Sequence, residues 1–392
     1  MNYHHFHEWG HLLLRLGHFL AGIMWIGTSF YFVWMDSSFD SPINPRHGVD
    51  GELWMVHGGN FYHVEKKRFG PGEMPAKIHW FKWEATLTWI SGFILLVWVY
   101  YLTNGAYLID PRIKVITPLN ASLIGLTVVT VSWFFYDFLF RLPIKITAIT
   151  HFIILLYFSA VVYFLTHTLS GRGAFIHLGA IFGTIMLFNV WRHILPNQKY
   201  IIEASNGGLE PNYDLGIKAK KRSMHNSYMT LPVLFIMISN HFPMTYSHQY
   251  NWIILILISA FGAFIRHFMI TLKKTPIIIA LGLLFILISF TAPKNNLVIA
   301  SDRKISFQKE VKPIFENRCI RCHSRHPSDD EFTEAPLGVN FEQVEIIQSL
   351  THKIYNRVIV QKDMPLQNKT QITDLERSTI GQWIKQGAIV DE

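Results

Sequence analysis

Cysteine is almost missing from this chain: its 392 residues contain only two, Cys319 and Cys322. With no others to pair, a wider disulfide framework is excluded, and a full zinc site would need two more soft ligands at matching spacing. Charge is sparse as well, at 16% Asp, Glu, Lys and Arg. No Gly-x-Gly-x-x-Gly or P-loop pattern occurs, so no short motif marks a nucleotide. No internal repeat is evident. The opening residues Met1-Asn2-Tyr3-His4-His5 lack the basic stretch of a cleaved signal peptide, so the first apolar segment is expected to remain as a helix. The net charge of +8 is not gathered into a basic domain, and no nucleic-acid partner is expected.

What is present is the pentapeptide Cys319-Ile320-Arg321-Cys322-His323. This C-x-x-C-H is the attachment signature of a c-type haem, in which two thiols bind one porphyrin and the next histidine ligates the iron. The competing readings are a C-x-x-C redox pair or half a zinc site. One methionine follows, Met364, in Lys362-Asp363-Met364-Pro365. A thioether opposite a histidine raises the reduction potential and suits an electron carrier, so His323 and Met364 are the expected axial ligands. Helical apolar spacing at Phe307, Val311, Ile314 and Phe315 precedes the motif. A second helix is predicted from Thr373, as N-cap, through Leu375, Ile380, Trp383 and Ile384. The expectation is a small class I cytochrome c-like domain over 303–392. About 90 residues make a small core, to which a covalent haem would add.

The rest, 1–296, reads as an integral membrane domain, so the chain is expected to be all-α. A span needs about 20 apolar residues. Eight segments qualify, near 11–35, 84–103, 118–140, 146–168, 173–194, 226–243, 250–272 and 275–293, the sixth being interrupted by Pro232. Lys and Arg collect in the odd-numbered loops: Arg46, Lys66, Lys67, Arg68, Lys77 and Lys82; Arg141 and Lys145; Arg192, Lys199, Lys218, Lys220, Lys221 and Arg222; Lys273 and Lys274. The other side holds Arg112, Lys114 and Arg172. Because cytoplasmic loops collect basic residues, both termini are expected outside, in the periplasm of a bacterial inner membrane. Periplasmic attachment of c-type haem gives the same topology. The short join at Pro293-Lys294-Asn295-Asn296 would keep the haem near the outer surface.

Ionisable groups inside a bilayer are costly and count as functional candidates by default. Arg15 and His18 share a face of the first span, with His11 a turn outward. With Arg172, His177 and His241 they form an outer set, suited to an anion or to haem propionates. An inner set holds Asp137, Arg141, His151, Arg192, His193, His225, Arg266 and His267, many near helix ends where they can snorkel. A pair such as His18 and His177 could ligate an additional b-type haem. The terminal cluster His4, His5, His7, Glu8 and His11 reads more as a solvated tail than as a metal site.

Several ordered segments resemble the membrane-bound, cytochrome c-linked urate oxidase (urate hydroxylase) family. They are Ala21-Gly22-Ile23-Met24-Trp25-Ile26-Gly27-Thr28-Ser29-Phe30-Tyr31, Gly58-Gly59-Asn60-Phe61-Tyr62, His79-Trp80-Phe81-Lys82-Trp83-Glu84-Ala85 and Ser170-Gly171-Arg172-Gly173-Ala174-Phe175. Further on come Ile194-Leu195-Pro196-Asn197-Gln198, His225-Asn226-Ser227-Tyr228-Met229-Thr230-Leu231-Pro232, Met237-Ile238-Ser239-Asn240-His241, the haem motif and Met364-Pro365-Leu366. The resemblance implies eight membrane helices followed by a cytochrome c domain. It also implies oxidation of urate to 5-hydroxyisourate, with electrons leaving through the haem to a downstream respiratory acceptor. A planar urate monoanion wants a cation such as Arg15 or Arg172, aromatic walls such as Trp25, Phe30 and Tyr31, and a proton acceptor such as His18 or His177. The alternatives are a non-catalytic electron conduit fed by quinol or a buried b-type haem, and a transporter or sensor with a reporting cytochrome.

Overall fold

Long apolar runs of about 20 residues satisfy their own backbone polar groups as helices, and helices dominate the computed structural model. It describes residues 3–142, 147–292, 303–329, 332 and 334–391. The expected exit at Pro293-Lys294-Asn295-Asn296, the boundary between the two domains, Lys145, and the side chains of His4 and His7 lie outside the described residues.

Helix α1 (Tyr3–Ser37) runs along α2 (Trp83–Leu96), which ends in a π turn, Val97–Tyr101. Between them is an element not foreseen from sequence, the hairpin β1 (Val49–His57) and β2 (Asn60–Lys67), paired antiparallel with His57 opposite Asn60. Its two-residue turn is Gly58-Gly59, both at positive φ, as a tight hairpin requires. Helices α3 (Pro118–Leu139) and α4 (Thr147–Thr166) follow, the first N-capped by Thr117. Then α5 (Gly171–Asn189), capped by Ser170, continues through a π turn, Val190–Ile194, into α6 (Leu195–Asn206). After α7 (Asp214–Ser239) and the short α8 (Pro243–Tyr246), α9 (Asn251–Thr271) and α10 (Lys274–Thr291) complete the bundle.

Among the described residues, seven helices are long and apolar enough to cross a membrane, one of them the continuous Gly171–Asn206. The sixth expected segment is not among them. Its helix, α7, begins twelve residues before 226 with a polar half that includes Lys218, Lys220, Lys221 and Arg222. Its contacts still place it inside the bundle. Gly179 of α5 lies against Ile236, and Asn189 against Asn226; on α9, Gly262 lies against Pro232 and Arg266 against Ser227. Thus α7 runs antiparallel to both neighbours. The main core surrounds α5, with Phe175, Leu178, Ile181 and Ile185 fully buried among α3, α4 and α7.

The C-terminal residues build a second, separate apolar core. A π turn (Phe307–Val311) leads into α11 (Lys312–Arg318), then come α12 (Val344–Ser349), α13 (Thr351–Ile354), another π turn (Tyr355–Val360) and α14 (Asp374–Lys385). Phe307, Val311, Ile314 and Phe315 pack with Ile347, Ile380 and Trp383. Thr373 is the N-cap of α14, in a capping box with Glu376. Leu375, expected in the apolar face, is instead 78% exposed, one turn ahead of the buried stripe.

Close approach of α3 and α5 depends on Gly125. A Cβ there would come within 2.2 Å of His177 Nε2 and 3.0 Å of the Tyr101 hydroxyl. Gly125→Ala is therefore expected to destabilise the bundle by about 1–3 kcal/mol. Gly183→Ala on α5, with open space at its Cβ, should be neutral or slightly stabilising. Thermal unfolding of the detergent-solubilised protein compares the two; equal melting points would remove the packing argument.

Candidate functional site

The turn after α11 carries the C-x-x-C-H residues. His323 Nδ1 donates to the Val339 carbonyl at 3.1 Å. That bond fixes the tautomer and leaves Nε2, which has no hydrogen-bond partner among the described residues, with its lone pair available to a ligand. Cys319 and Met364 both pack on the edge of the C-terminal core. Burial pushes the Cys319 thiol up to about 12 and the Cys322 thiol up to about 11. Among the described residues no three His, Cys, Asp or Glu side chains are placed to hold a metal ion together. That count does not bear on a porphyrin iron, which needs only one His and one thioether. The residues present therefore fit a covalent haem.

The segment Lys362–Gln367, with Met364 inside it, is clamped between the two cores. From within, the Arg377 guanidinium donates to the Met364 carbonyl at 2.8 Å, and Arg357 holds the buried Asp363 carboxylate through contacts of 2.8, 2.8 and 2.6 Å. From the bundle, Arg112 donates to the Lys362 carbonyl at 2.9 Å. Gln367 donates to the carbonyls of Gly105 and Ala106 at 3.0 and 2.6 Å, and the Tyr246 hydroxyl lies 3.5 Å from Asp363. The C-terminal unit thus sits on the end of the bundle formed by the α2–α3 loop and the start of α5. This end holds Arg112, Lys114 and Arg172 and is the one poor in basic residues.

The four membrane-domain candidates go to different places. Arg15 is exposed on α1 and has no polar partner among the described residues. His18 Nδ1 donates to the Thr88 carbonyl at 2.9 Å and packs against Gly92, tying α1 to α2. His177 is fully buried; Nδ1 donates to the Gly173 carbonyl at 2.6 Å and Nε2 accepts from the Tyr101 hydroxyl at 2.8 Å. With both nitrogens engaged, His177 does not fit an axial ligand of a b-type haem as it stands. Arg172 alone reaches the junction, where Nε donates to the Tyr246 hydroxyl at 3.0 Å. No hydrogen bond, ion pair or ring contact links any two of the four. The expected aromatic walls are elsewhere. Phe30 stacks on the Arg266 guanidinium at 3.7 Å and, with Tyr31, Val33, Trp34 and Met269, lines a cleft of about 320 Å³. Trp25 packs by Ala85 and Leu187.

The inner set assembles only in part: Arg266 goes to Ser227 and Phe30 and His267 to Tyr228, while others gather on Asp137 and Tyr136. Asp137, near the end of α3, accepts from His193 at 2.5 Å and pairs with Arg141 at 2.5 Å and Arg222 at 3.3 Å. The Arg222 guanidinium lies over Tyr136 and Phe140. Tyr136 donates to His225 at 2.6 Å and accepts from Asn189, which also bonds Asn226. This lattice joins α3, α7 and the π turn after α5. Arg222 was read from sequence only as a loop charge, and its buried role has no local signal.

The sequence model of the family described as Urate oxidase N-terminal matches residues 4–292. No curated protein and no solved structure matches the chain.

The inner lattice yields a stability prediction independent of any substrate. Asp137→Ala leaves the buried Arg222 guanidinium without a carboxylate and should cost about 3–5 kcal/mol. Arg141→Ala removes the more exposed partner and should cost no more than about 1 kcal/mol. Thermal unfolding in detergent checks both, and an equal loss would mean the lattice is not organised on Arg222.

Proposed function

Because the chain belongs to the urate oxidase N-terminal family, we propose that it is a membrane-bound oxidoreductase that converts urate to 5-hydroxyisourate and delivers the electrons to a c-type haem on its own C-terminal unit. The family supplies the urate-related oxidoreductase role. The observation that supports internal electron delivery is the clamp: the segment bearing Met364 is seated on the bundle by Arg112, Gln367 and Tyr246.

The reaction balances without an oxygen-derived oxidant. Urate monoanion and water give neutral 5-hydroxyisourate, one proton and two electrons. The haem supplies one-electron acceptance, so each urate requires two cycles. Cys319 and Cys322 would hold the porphyrin, His323 Nε2 and the Met364 thioether its iron, and the Val339 carbonyl keeps the histidine in the ligating tautomer. Asp363, anchored by Arg357, and the Arg377 bond to the Met364 carbonyl orient the thioether. Of the four membrane-domain candidates, this reading retains Arg172 as the cation for urate, because it alone adjoins the clamp. The unit sits on the charge-poor end of the bundle, which supports an inner-membrane protein with its haem unit in the periplasm. A downstream respiratory acceptor would then draw the electrons off.

Anaerobic addition of urate to the purified protein is expected to reduce the haem, with two reducing equivalents per urate and no requirement for quinol. Reduction by quinol and not by urate would replace this reading with the electron-conduit one. Met364→Ala should leave the haem attached but lower its potential, because the thioether favours reduced iron. A redox titration that finds the same midpoint in both proteins removes Met364 as ligand.

A further inference from the structure

We propose that the junction is the substrate chamber: a flat oxo-purine anion binds against Arg172, Tyr107, Tyr246, Tyr100 and Asn240, beneath the Asp363–Met364 segment. The inference rests on the urate reading above and assigns its site.

Charge makes the first argument. Four arginines and two carboxylates meet here, and Arg377 is taken up by the carbonyls of Val358 and Met364. Arg112 is taken up by Asp110, at 2.9 and 2.6 Å, and Arg357 by Asp363. Arg172 is left over. Its nearest carboxylate oxygen, on Asp363, is 4.0 Å away, beyond hydrogen-bond reach, and is already held by Arg357. One guanidinium charge, half-buried, therefore lacks a bonded carboxylate and suits one monoanion.

Shape makes the second. The Arg172 guanidinium lies 5.1 Å from the Tyr246 ring and 5.8 Å from that of Tyr107, which in turn lies 6.3 Å from Tyr100. The guanidinium lies over the faces of Tyr246 and Tyr107, and the Tyr100 hydroxyl, which accepts from Asn240, keeps its own proton to donate to a carbonyl oxygen of a flat ring placed beside them. Asn240, at the end of α7, donates to the Tyr100 hydroxyl at 3.0 Å, while its own Oδ1 is buried with no partner. Turning the amide over would only leave its other end unbonded. A purine carries ring N–H and C=O groups side by side, the complement such an amide needs.

Position makes the third. Tyr246 and Arg172 approach Asp363, whose chain neighbour is Met364, so a ring held here lies close to the proposed iron ligand. His177 and the inner lattice are one or more helix turns deeper along α5.

The test uses the full-length, haem-loaded protein in detergent under anaerobic conditions, with urate as probe and haem reduction as readout. Arg172→Gln and Asn240→Asp should each raise the urate concentration for half-maximal reduction by about tenfold or more. Arg172→Lys should recover part of the loss. The dithionite-reduced spectrum and the haem midpoint should stay as in the unsubstituted protein, which a merely structural defect at the clamp would not allow. If Arg172→Gln does not assemble, Asn240→Asp, at the end of α7, carries the test alone. Half-saturation within twofold of the unsubstituted protein in a variant with an intact spectrum overturns the chamber while leaving urate oxidation standing. If urate fails to reduce the unsubstituted protein although dithionite does, the functional reading falls, and the chamber with it.

Discussion

The fixed point of this molecule is the carboxylate of Asp363. It is buried where two independently packed cores meet, and Arg357 holds it from one side while Tyr246 and Arg172 approach it from the other. A buried carboxylate is tolerable only when paired and hydrogen-bonded. The pairing therefore fixes the backbone of its neighbours, Lys362 and Met364, as well as its own side chain. The carbonyls of those two neighbours accept from Arg112 and Arg377, and Gln367 closes the segment onto Gly105 and Ala106. The relation between the bundle and the C-terminal unit thus depends on a few charge-assisted bonds at one short segment. A broad apolar face is not needed, which suits a unit whose own core is already closed around Phe307, Ile380 and Trp383.

Two concentrations of polar groups mark the bundle, and each keeps a buried atom without a hydrogen-bond partner, Arg222 Nη1 at the inner one and the Asn240 carbonyl oxygen at the junction. Around Asp137, one carboxylate serves His193, Arg141 and Arg222, and Tyr136, His225, Asn189 and Asn226 bond to one another. Such a lattice offsets the cost of burying polar groups in an apolar medium and stiffens a helix crossing. At the junction the Asn240 carbonyl oxygen has no partner, and Arg172 has no carboxylate within hydrogen-bond reach. Unmade bonds at buried groups are expensive to keep. On the proposed reading a bound anion would complete those at the junction, where Arg172 and Asn240 adjoin the Met364 segment.

How much of this was legible in the sequence follows from the range of each interaction. The C-x-x-C-H motif, the capping box at Thr373 and Glu376, and the apolar spacing of Phe307 to Phe315 are encoded within a few residues, and reading them needs no tertiary information. Of the eight apolar segments expected, seven coincide with helices that, among the described residues, are long and apolar enough to cross a membrane. The start of α7 was missed because Lys218 to Arg222 look like a loop until Asp137 and the bundle end give Arg222 a place. The hairpin has a strong local turn signal in Gly58-Gly59, but its apolar run, Leu53 to Val56, is far shorter than a membrane span and is flanked by charged residues, so hydropathy does not separate it from a connecting loop. The junction could not be read at all: Arg112 and Lys362 are 250 residues apart, and Gln367 and Gly105 are 262. Nothing local distinguishes Asn240 or Tyr246 from other interfacial polar residues. Arg15 and Arg172 looked equivalent because periodicity assigns a face without saying what it faces.

On the proposed reading, the placement of Met364 next to Asp363 has a chemical consequence. The residue that would ligate the iron and the residue that roofs the substrate are joined by one peptide bond, so they cannot move independently. An anion drawn to Arg172 arrives beside a carboxylate of the same charge, and their repulsion is carried by the Arg357 and Arg377 anchors to the thioether. A rigid clamp would resist that force and hold the Met364 thioether in place while the substrate changes from anion to neutral product. Loss of the anion's charge on oxidation then removes both its attraction to Arg172 and its repulsion from Asp363. Product would leave a chamber built for a monoanion because it is no longer one.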